Sequence, residues 1–148
     1  MYFLFLQWVL PKFVKLNEYF QSKDPKITES DGQMRITYKD LLYTFMDRDH
    51  VNQTPPHQIN PENTQFHISR VYLGVKIMKE MEKEEVKNNR EKLTEFHEKT
   101  KSFLVTSCVQ MTKRYDFNNK LLPLLKFTCR LKRLSKAVRG NNYRPFYP

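Results

Sequence analysis

The chain has 148 residues, enough for one ordinary domain, and its three glycines among abundant Leu, Phe, Lys and Glu argue against a turn-rich β-sandwich and favour helices. Its net charge of +10 is unevenly placed, because residues 1–100 hold 15 Lys/Arg and 15 Asp/Glu whereas residues 101–148 hold 11 and one. This asymmetry indicates a polyanionic partner, either nucleic acid or an anionic membrane surface, with a merely soluble basic surface as the alternative.

The first twenty residues are unusually apolar. They lack the basic region and the cleavage site of a targeting peptide, and ten apolar residues are too few to span a bilayer. Helical spacing interrupted by Pro11 predicts one kinked helix or two short ones. We expect this segment to dock as a buried element or to follow further protein. The predicted stripe consists of Leu6, Val9, Leu10, Phe13, Leu16 and Phe20.

A second helix is predicted over about 32–46. Ser30 and Gln33 have the spacing of a capping box, in which each residue bonds a free backbone N–H of the first turn. An apolar stripe at helical spacing follows, formed by Met34, Tyr38, Leu41, Leu42 and Phe45.

Residues 47–67 contain three prolines and show no periodicity, so we predict a loop of about twenty residues there. Loops of this length are uncommon inside compact domains. The segment is therefore expected to be a flexible connector or a functional insertion.

Two further helices are predicted before residue 120. The first begins near Ser69, with a stripe of Val71, Val75, Met78 and Met81, and it runs into a Lys- and Glu-rich stretch that reads as a solvated helix face. The second spans about 92–115. Its apolar positions are Leu93, Phe96, Phe103, Leu104, Cys108, Met111 and Tyr115.

The last predicted helix is amphipathic and basic, and Gly140 can terminate it. Its apolar stripe consists of Leu124, Phe127, Leu131, Leu134 and Val138. Clustered cations beside an aromatic tail can bind phosphates and stack on bases, although a membrane surface or an acidic protein would also attract them. The candidate nucleic-acid-binding residues, all outside the stripe, are Lys126, Arg130, Lys132, Arg133, Lys136 and Arg139.

The residue types that carry catalysis do not form a recognisable site in the sequence. The histidines are scattered, three of them in or beside the long loop, and are predicted to be solvent-exposed. A carboxylate run threaded with lysines lacks the isolated pair that acid–base chemistry needs. Cys108 lies among apolar residues and is predicted to pack, and Gly74 is predicted to allow close approach of a helix. We therefore predict no catalytic residue, metal site or cofactor. The residues considered are His50, His57, His67, His97, Glu80, Glu82, Glu84 and Glu85.

Three blocks of sequence resemble the helical insertion region of the hAT superfamily of DNA transposases. They are VLPKFVKLNEYFQSKDPKI at 9–27, VYLGVKIM at 71–78 and FHEKTKSFLVTSCVQMTKRYDFNNKLLPLLKF at 96–127. The resemblance implies descent from a cut-and-paste transposase with an RNase H-like core, three metal-binding acids, a BED-type zinc finger and a dimerisation segment. In the family two acids precede the insertion and a glutamate follows it, so we expect that no catalytic residue carries over.

These observations lead to one overall prediction. We expect an all-α fold of about five helices with one long loop, in which residues 1–130 form a transposase-insertion-like region and residues 131–148 depart from the family pattern. The predicted function is that of a non-catalytic, transposase-derived fragment with weak, sequence-independent DNA binding. The alternative is a protein-interaction module whose basic helix docks on an acidic surface. We further expect nuclear rather than cytoplasmic location, self-association and no membrane span.

Overall fold

The computed structural model describes residues 1–21 and 27–121, and in this part of the chain it is built from α-helices without a β-strand. The prediction of an all-α fold is confirmed. The helices are α1 (Tyr2–Phe20), α2 (Ile27–Leu42), α3 (Arg48–Gln53), α4 (Val75–Met81), α5 (Glu84–Lys87) and α6 (Arg90–Arg114). The predicted helix over 124–139 lies outside the described residues.

Helix α1 is a single helix that continues through Pro11. Proline removes one intrahelical hydrogen bond, and packing against neighbouring helices compensates for that loss. Phe5 and Val9 are buried in the core, and Tyr19 donates a hydrogen bond of 2.9 Å to the Glu29 carboxylate in the first turn of α2. The bond from Tyr19 thus joins the end of α1 to the start of α2.

Helix α2 begins at Ile27, so the predicted capping box was wrong because position 30 lies inside the helix. The helix also ends earlier than predicted. After Leu42 the backbone turns, and the amide of Asp47 donates to the carbonyl of Phe66 at 2.8 Å, while the amide of Ile68 donates to the carbonyl of Phe45 at 2.9 Å. These bonds between distant segments replace the last predicted helical turn.

The segment predicted to be a loop contains a short helix and packs on the core. Asp47 caps α3 by accepting a hydrogen bond of 2.9 Å from the amide of His50. Val51 and Ile59 are buried in the core. Two short 3-10 turns complete the segment, at Pro56–Gln58 and Thr64–Phe66.

The stripe predicted from Val71 onward is only partly correct. Val71 is buried but lies in the extended segment before α4, and Val75, the first residue of α4, is 60% exposed. Met81 of the predicted stripe is buried, and Ile77, which was not predicted, completes the buried face of α4. Gly74 precedes the helix with a φ of 94°, and this conformation shifts the start of the helix past the predicted position.

Helix α6 is the longest helix of the described chain and confirms the prediction of a helix over 92–115 to within two residues at either end. Its buried face packs mainly on α2, where Tyr38, Leu41 and Leu42 are buried. Asn89 caps it by accepting a hydrogen bond from the amide of Lys92. The buried residues of α6 are Phe96, Thr100, Leu104, Cys108 and Met111.

Candidate docking surface on the first helix

One face of α1 is held in the core by aromatic contacts with α6. The ring of Tyr2 meets that of Phe96 at 5.1 Å between centroids, and the ring of Phe5 meets that of Phe103 at 5.5 Å, both edge to face. Such pairs add about 0.5–1.5 kcal/mol to the stabilisation from burial alone. Helix α1 is therefore anchored to α6 along its first two turns.

A second edge of α1 is held by α2 and by the start of α4. The ammonium of Lys12 pairs with the Asp40 carboxylate and lies 4.9 Å from the centre of the Trp8 ring. The other side of Trp8 packs against Gly74, where a Cβ atom would lie 2.7 Å from Trp8 Cδ1. The prediction that Gly74 allows a close approach is confirmed.

The outer face of α1 carries a line of large side chains, which we call the α1 seam. Consecutive members are alternately three and four residues apart, the spacing that keeps side chains on one face of a helix. Phe3 is 70% exposed, Leu6 42%, Leu10 46% and Phe20 47%. The α1 seam consists of Phe3, Leu6, Leu10, Phe13, Asn17 and Phe20.

This arrangement corrects the single stripe predicted for the first helix. Val9 faces the core, whereas Leu6 and Leu10 face outward. Nearly the whole circumference of the helix is apolar, so helical periodicity alone could not separate the two faces. The strict alternation of three and four residues was the signal in the sequence that could have identified the seam.

A groove of about 520 Å³ adjoins the α1 seam between α1, α2 and α6. Phe13 belongs to both the seam and the wall of the groove, so the two form one surface. Contiguous exposed apolar surface of this kind marks an interaction site. Other residues that line the groove are Met34, Phe103, Gln110, Met111 and Arg114.

Covering the seam would release substantial free energy. Complete burial of one Leu or Phe side chain contributes about 1.5–3 kcal/mol, and the exposed seam residues are between two-fifths and seven-tenths accessible. Several such side chains acting together suffice to hold a helix against α1. Asn17, the polar member of the seam, is exposed and would favour a register in which it stays hydrated.

The six candidate nucleic-acid-binding residues lie outside the described residues, namely Lys126, Arg130, Lys132, Arg133, Lys136 and Arg139. In the described part of the chain, charges of opposite sign are closely balanced. Several cations there are engaged by carboxylates, as in the pair of Arg35 Nε and Asp31 Oδ1 at 2.8 Å and the pair of Lys99 and Glu95 at 2.6 Å. Residues 122–148, by contrast, contain seven Lys/Arg and no Asp or Glu.

The histidines are less exposed than predicted. His57 is exposed, but the ring of His50 stacks on Phe66 at 3.6 Å between centroids, and His67 Nε2 donates to the carbonyl of Pro61 at 2.8 Å. His97 is partly buried, and this desolvation lowers its pKa. Over residues 1–21 and 27–121, no group of three or more His, Cys, Asp or Glu residues is placed to hold a metal ion.

Cys108 packs in the core, as predicted, and burial raises the pKa of its thiol. A raised pKa disfavours the thiolate, which is the reactive form of cysteine. The predicted solvated face is confirmed at Glu80, whose carboxylate pairs with Lys83 at 2.8 Å, and at Glu82 and Glu84, which are exposed. These residues therefore have structural and surface roles in the described structure.

No protein-family model, curated protein or solved structure matches the chain. The resemblance to the hAT insertion region therefore stays a prediction. Within the described residues, no helix combines the length and the apolar character needed to cross a membrane.

Proposed function

We propose that this chain is a non-catalytic, transposase-derived helical module of the nucleus that binds duplex DNA weakly and without sequence preference. The observation that carries the proposal is the segregation of charge. The helical body is close to electroneutral, while residues 122–148 hold seven cations and no anion. The hAT-like blocks at 9–27, 71–78 and 96–127 supply the proposed origin.

The proposed contacts are phosphate contacts made by Lys126, Arg130, Lys132, Arg133, Lys136 and Arg139. Lys and Arg that neutralise phosphates release condensed counterions, which supplies most of the free energy of non-specific binding. Such contacts orient a protein on DNA without reading the bases. The binding should therefore be weak, sensitive to salt and indifferent to sequence.

A salt titration with a labelled duplex tests this function. If about six phosphates are neutralised, log affinity should fall against log salt concentration with a slope of about −5. A scrambled duplex of equal length should give the same curve. A slope near zero would contradict the proposal. Incubation with DNA and Mg²⁺ or Mn²⁺ should produce no cleavage, and nicking that depends on Glu80 or Glu84 would show catalysis instead.

A second candidate function is that of a protein-interaction module, and the exposed α1 seam favours it. In that case the basic helix or the seam would bind another protein, with the cations directed at an acidic surface. Stoichiometric, saturable binding to such a partner, abolished by excess DNA, would distinguish it from DNA binding as the primary activity.

A further inference from the structure

The α1 seam is an unusual surface for a helix to expose. In α1, the side chains at 3, 6, 10 and 13 are apolar and follow steps of three and four residues, the pattern of the contact line between two paired helices. The adjacent face of α1, with Phe5 and Val9, already packs in the core. The α1 seam thus has the residue spacing of a surface that packs against one further helix.

The same chain contains a second line of this pattern. Its members are Leu124, Phe127, Leu131, Leu134 and Val138, separated by steps of three, four, three and four residues. As a helix this line would be about 21 Å long, against about 26 Å for the α1 seam. The two lines therefore match in spacing, and the second is shorter by about one helical turn.

The course of the chain indicates the direction of approach. Tyr2 meets Phe96 near the start of α6, whereas Phe13 shares the groove with Arg114 at the end of α6. Helices α1 and α6 accordingly run in the same direction. A segment that continues from the end of α6 therefore meets the middle of α1 before it meets the first turn of α1.

Contacts after α6 keep the chain close to this groove. Tyr115 lines the groove, Phe117 stacks on Tyr38 at 4.6 Å, and Arg35 Nη2 donates to the Phe117 carbonyl at 2.8 Å. Leu121, the last described residue before the second apolar line, is 67% exposed. Only a short connection then separates the helical body from position 124.

We propose that residues 124–138 dock on the α1 seam as an antiparallel helix of the same chain. In an antiparallel pair the position numbers of facing residues have a constant sum, and one register places four apolar pairs face to face with no polar residue on the contact line. Moving the helix by one heptad would also form four apolar pairs, but it would place Asn17 opposite Phe127. The Asn17 amide, whose Oδ1 accepts a hydrogen bond of 3.3 Å from Gln21 Nε2, would then lose water at its remaining polar groups, which is costly. The paired residues are Phe3 with Leu134, Leu6 with Leu131, Leu10 with Phe127, and Phe13 with Leu124.

This pairing leaves the six basic side chains off the contact line, so the docked helix presents its cations away from α1. The pairing does not depend on DNA binding, because it is argued from apolar spacing and chain path alone. The two proposals can therefore fail separately.

Engineered cysteines test the pairing in the full chain. In a Cys129→Ser background, Leu10→Cys and Phe127→Cys are introduced together and oxidised gently at low protein concentration. Cα atoms within about 7 Å can form a disulfide. We expect most of the chain to become a monomer that migrates faster on a non-reducing gel, with the crosslink located by peptide mass. Cys108 is buried and is left in place.

Two matched variants define the other outcomes. Lys15→Cys with Phe127→Cys should not crosslink, because Lys15 is exposed on the opposite side of α1 from Leu10. Leu10→Cys with Leu134→Cys reports the register shifted by one heptad, and a stronger crosslink there than in the first pair would contradict the proposed pairing. A crosslinked dimer with the first pair would show that a second copy occupies the seam, and absence of any crosslink in a helical, folded variant would also overturn the proposal. DNA titration of the same samples reports the proposed function independently.

Discussion

The indole of Trp8 lies directly against Gly74, so close that a Cβ atom on Gly74 would stand 2.7 Å from Trp8 Cδ1 and 2.9 Å from Trp8 Nε1. The backbone of Gly74 has a φ of 94°, a region that residues with a side chain rarely adopt. This contact sets the distance between α1 and the start of α4.

We predict that Gly74→Ala lowers the free energy of unfolding by about 2–4 kcal/mol, because backbone strain and overpacking each cost about 1–3 kcal/mol. Urea denaturation followed by circular dichroism measures this change. Gly32→Ala is the matched control. Gly32 lies within α2, a methyl group there would meet open space beyond its own helical turn, and alanine should stabilise the protein by about 0.5–1 kcal/mol. Equal effects of the two substitutions would contradict the Trp8 contact.

The hydroxyl of Tyr115 joins the end of α6 to α2, since it donates a hydrogen bond of 2.7 Å to Asp31 Oδ1. Asp31 is also paired with Arg35. We predict that Tyr115→Phe costs about 1.5–3 kcal/mol, the range for a hydrogen bond to a charged group. Tyr2→Phe, at an exposed position, is the control and should be nearly neutral. A loss below about 0.5 kcal/mol at position 115 would show that water replaces the bond.

Stability should fall at alkaline pH because three acidic groups have raised pKa values in the folded state. Burial is the first cause for Cys108, Tyr38 and Tyr115, and the Asp31 carboxylate adds to it at Tyr115. Each raised pKa stabilises the folded protein fully below the unfolded value, which is 9.0 for Cys and 10.0 for Tyr, and this stabilisation is lost as the pH rises beyond it.

Denaturation curves between pH 8 and 11, set to bracket these ordinary pKa values, would measure the effect. Each group that ionises only in the unfolded state contributes a slope of about 1.4 kcal/mol per pH unit. Cys108→Val removes the first of them, so its stability should decline less steeply above about pH 9 than that of the wild type. Parallel curves for the two proteins would exclude Cys108 as a contributor.

Replacement of Arg130, Lys132, Arg133 and Lys136 together with Gln should remove most of the salt dependence of DNA binding. Each lost phosphate contact makes the slope less negative by about 0.9. The apolar line from Leu124 to Val138 is untouched, so helix content should not change. The control removes the same number of charges from the helical body, by replacing Lys76, Lys79, Lys83 and Lys87 with Gln. A larger loss of salt dependence in this control would show that the DNA-binding site lies on the helical body.

Disruption of the second apolar line should uncover the α1 seam. We expect Leu131→Gln with Leu134→Gln to increase both the binding of a hydrophobic dye and self-association in sedimentation experiments, because exposed apolar surface drives both. Addition of Leu6→Gln and Leu10→Gln should reverse the increase. Addition of Ile36→Gln, an exposed apolar position of α2 outside the seam, should not. A variant with wild-type dye binding would show that the line at 124–138 does not cover α1.

The features that the sequence determined by itself are those set by local chemistry. Helix α6 follows directly from apolar residues at helical spacing, and the burial of Cys108 follows from its place on that stripe. The all-α class follows from composition, because glycine is scarce while Leu, Phe, Lys and Glu are abundant. The unequal distribution of charge is likewise a property of the sequence alone.

The tertiary structure decided features that depend on contacts between distant segments. Helix α2 begins earlier in the chain than predicted, where Tyr19 bonds to its first turn. It also ends earlier than predicted, because the backbone of residues 45–47 bonds to the backbone of residues 66–68. The segment at 47–67 packs against the helices because Val51 and Ile59 reach a core that other helices supply. Local patterns cannot reveal such bonds, since their partners lie on different elements of the chain.

Helix α1 shows most clearly that a local sequence pattern does not determine which face of a helix is buried. Its sequence is apolar around almost the whole circumference, so several faces could enter a core with similar gain in free energy. Phe5 and Val9 are buried because Phe103 of α6 and the neighbouring helices occupy that side, while Leu6 and Leu10 are left outside. Hydrophobic burial has no direction of its own, and only the placement of the surrounding helices determines which apolar face is covered.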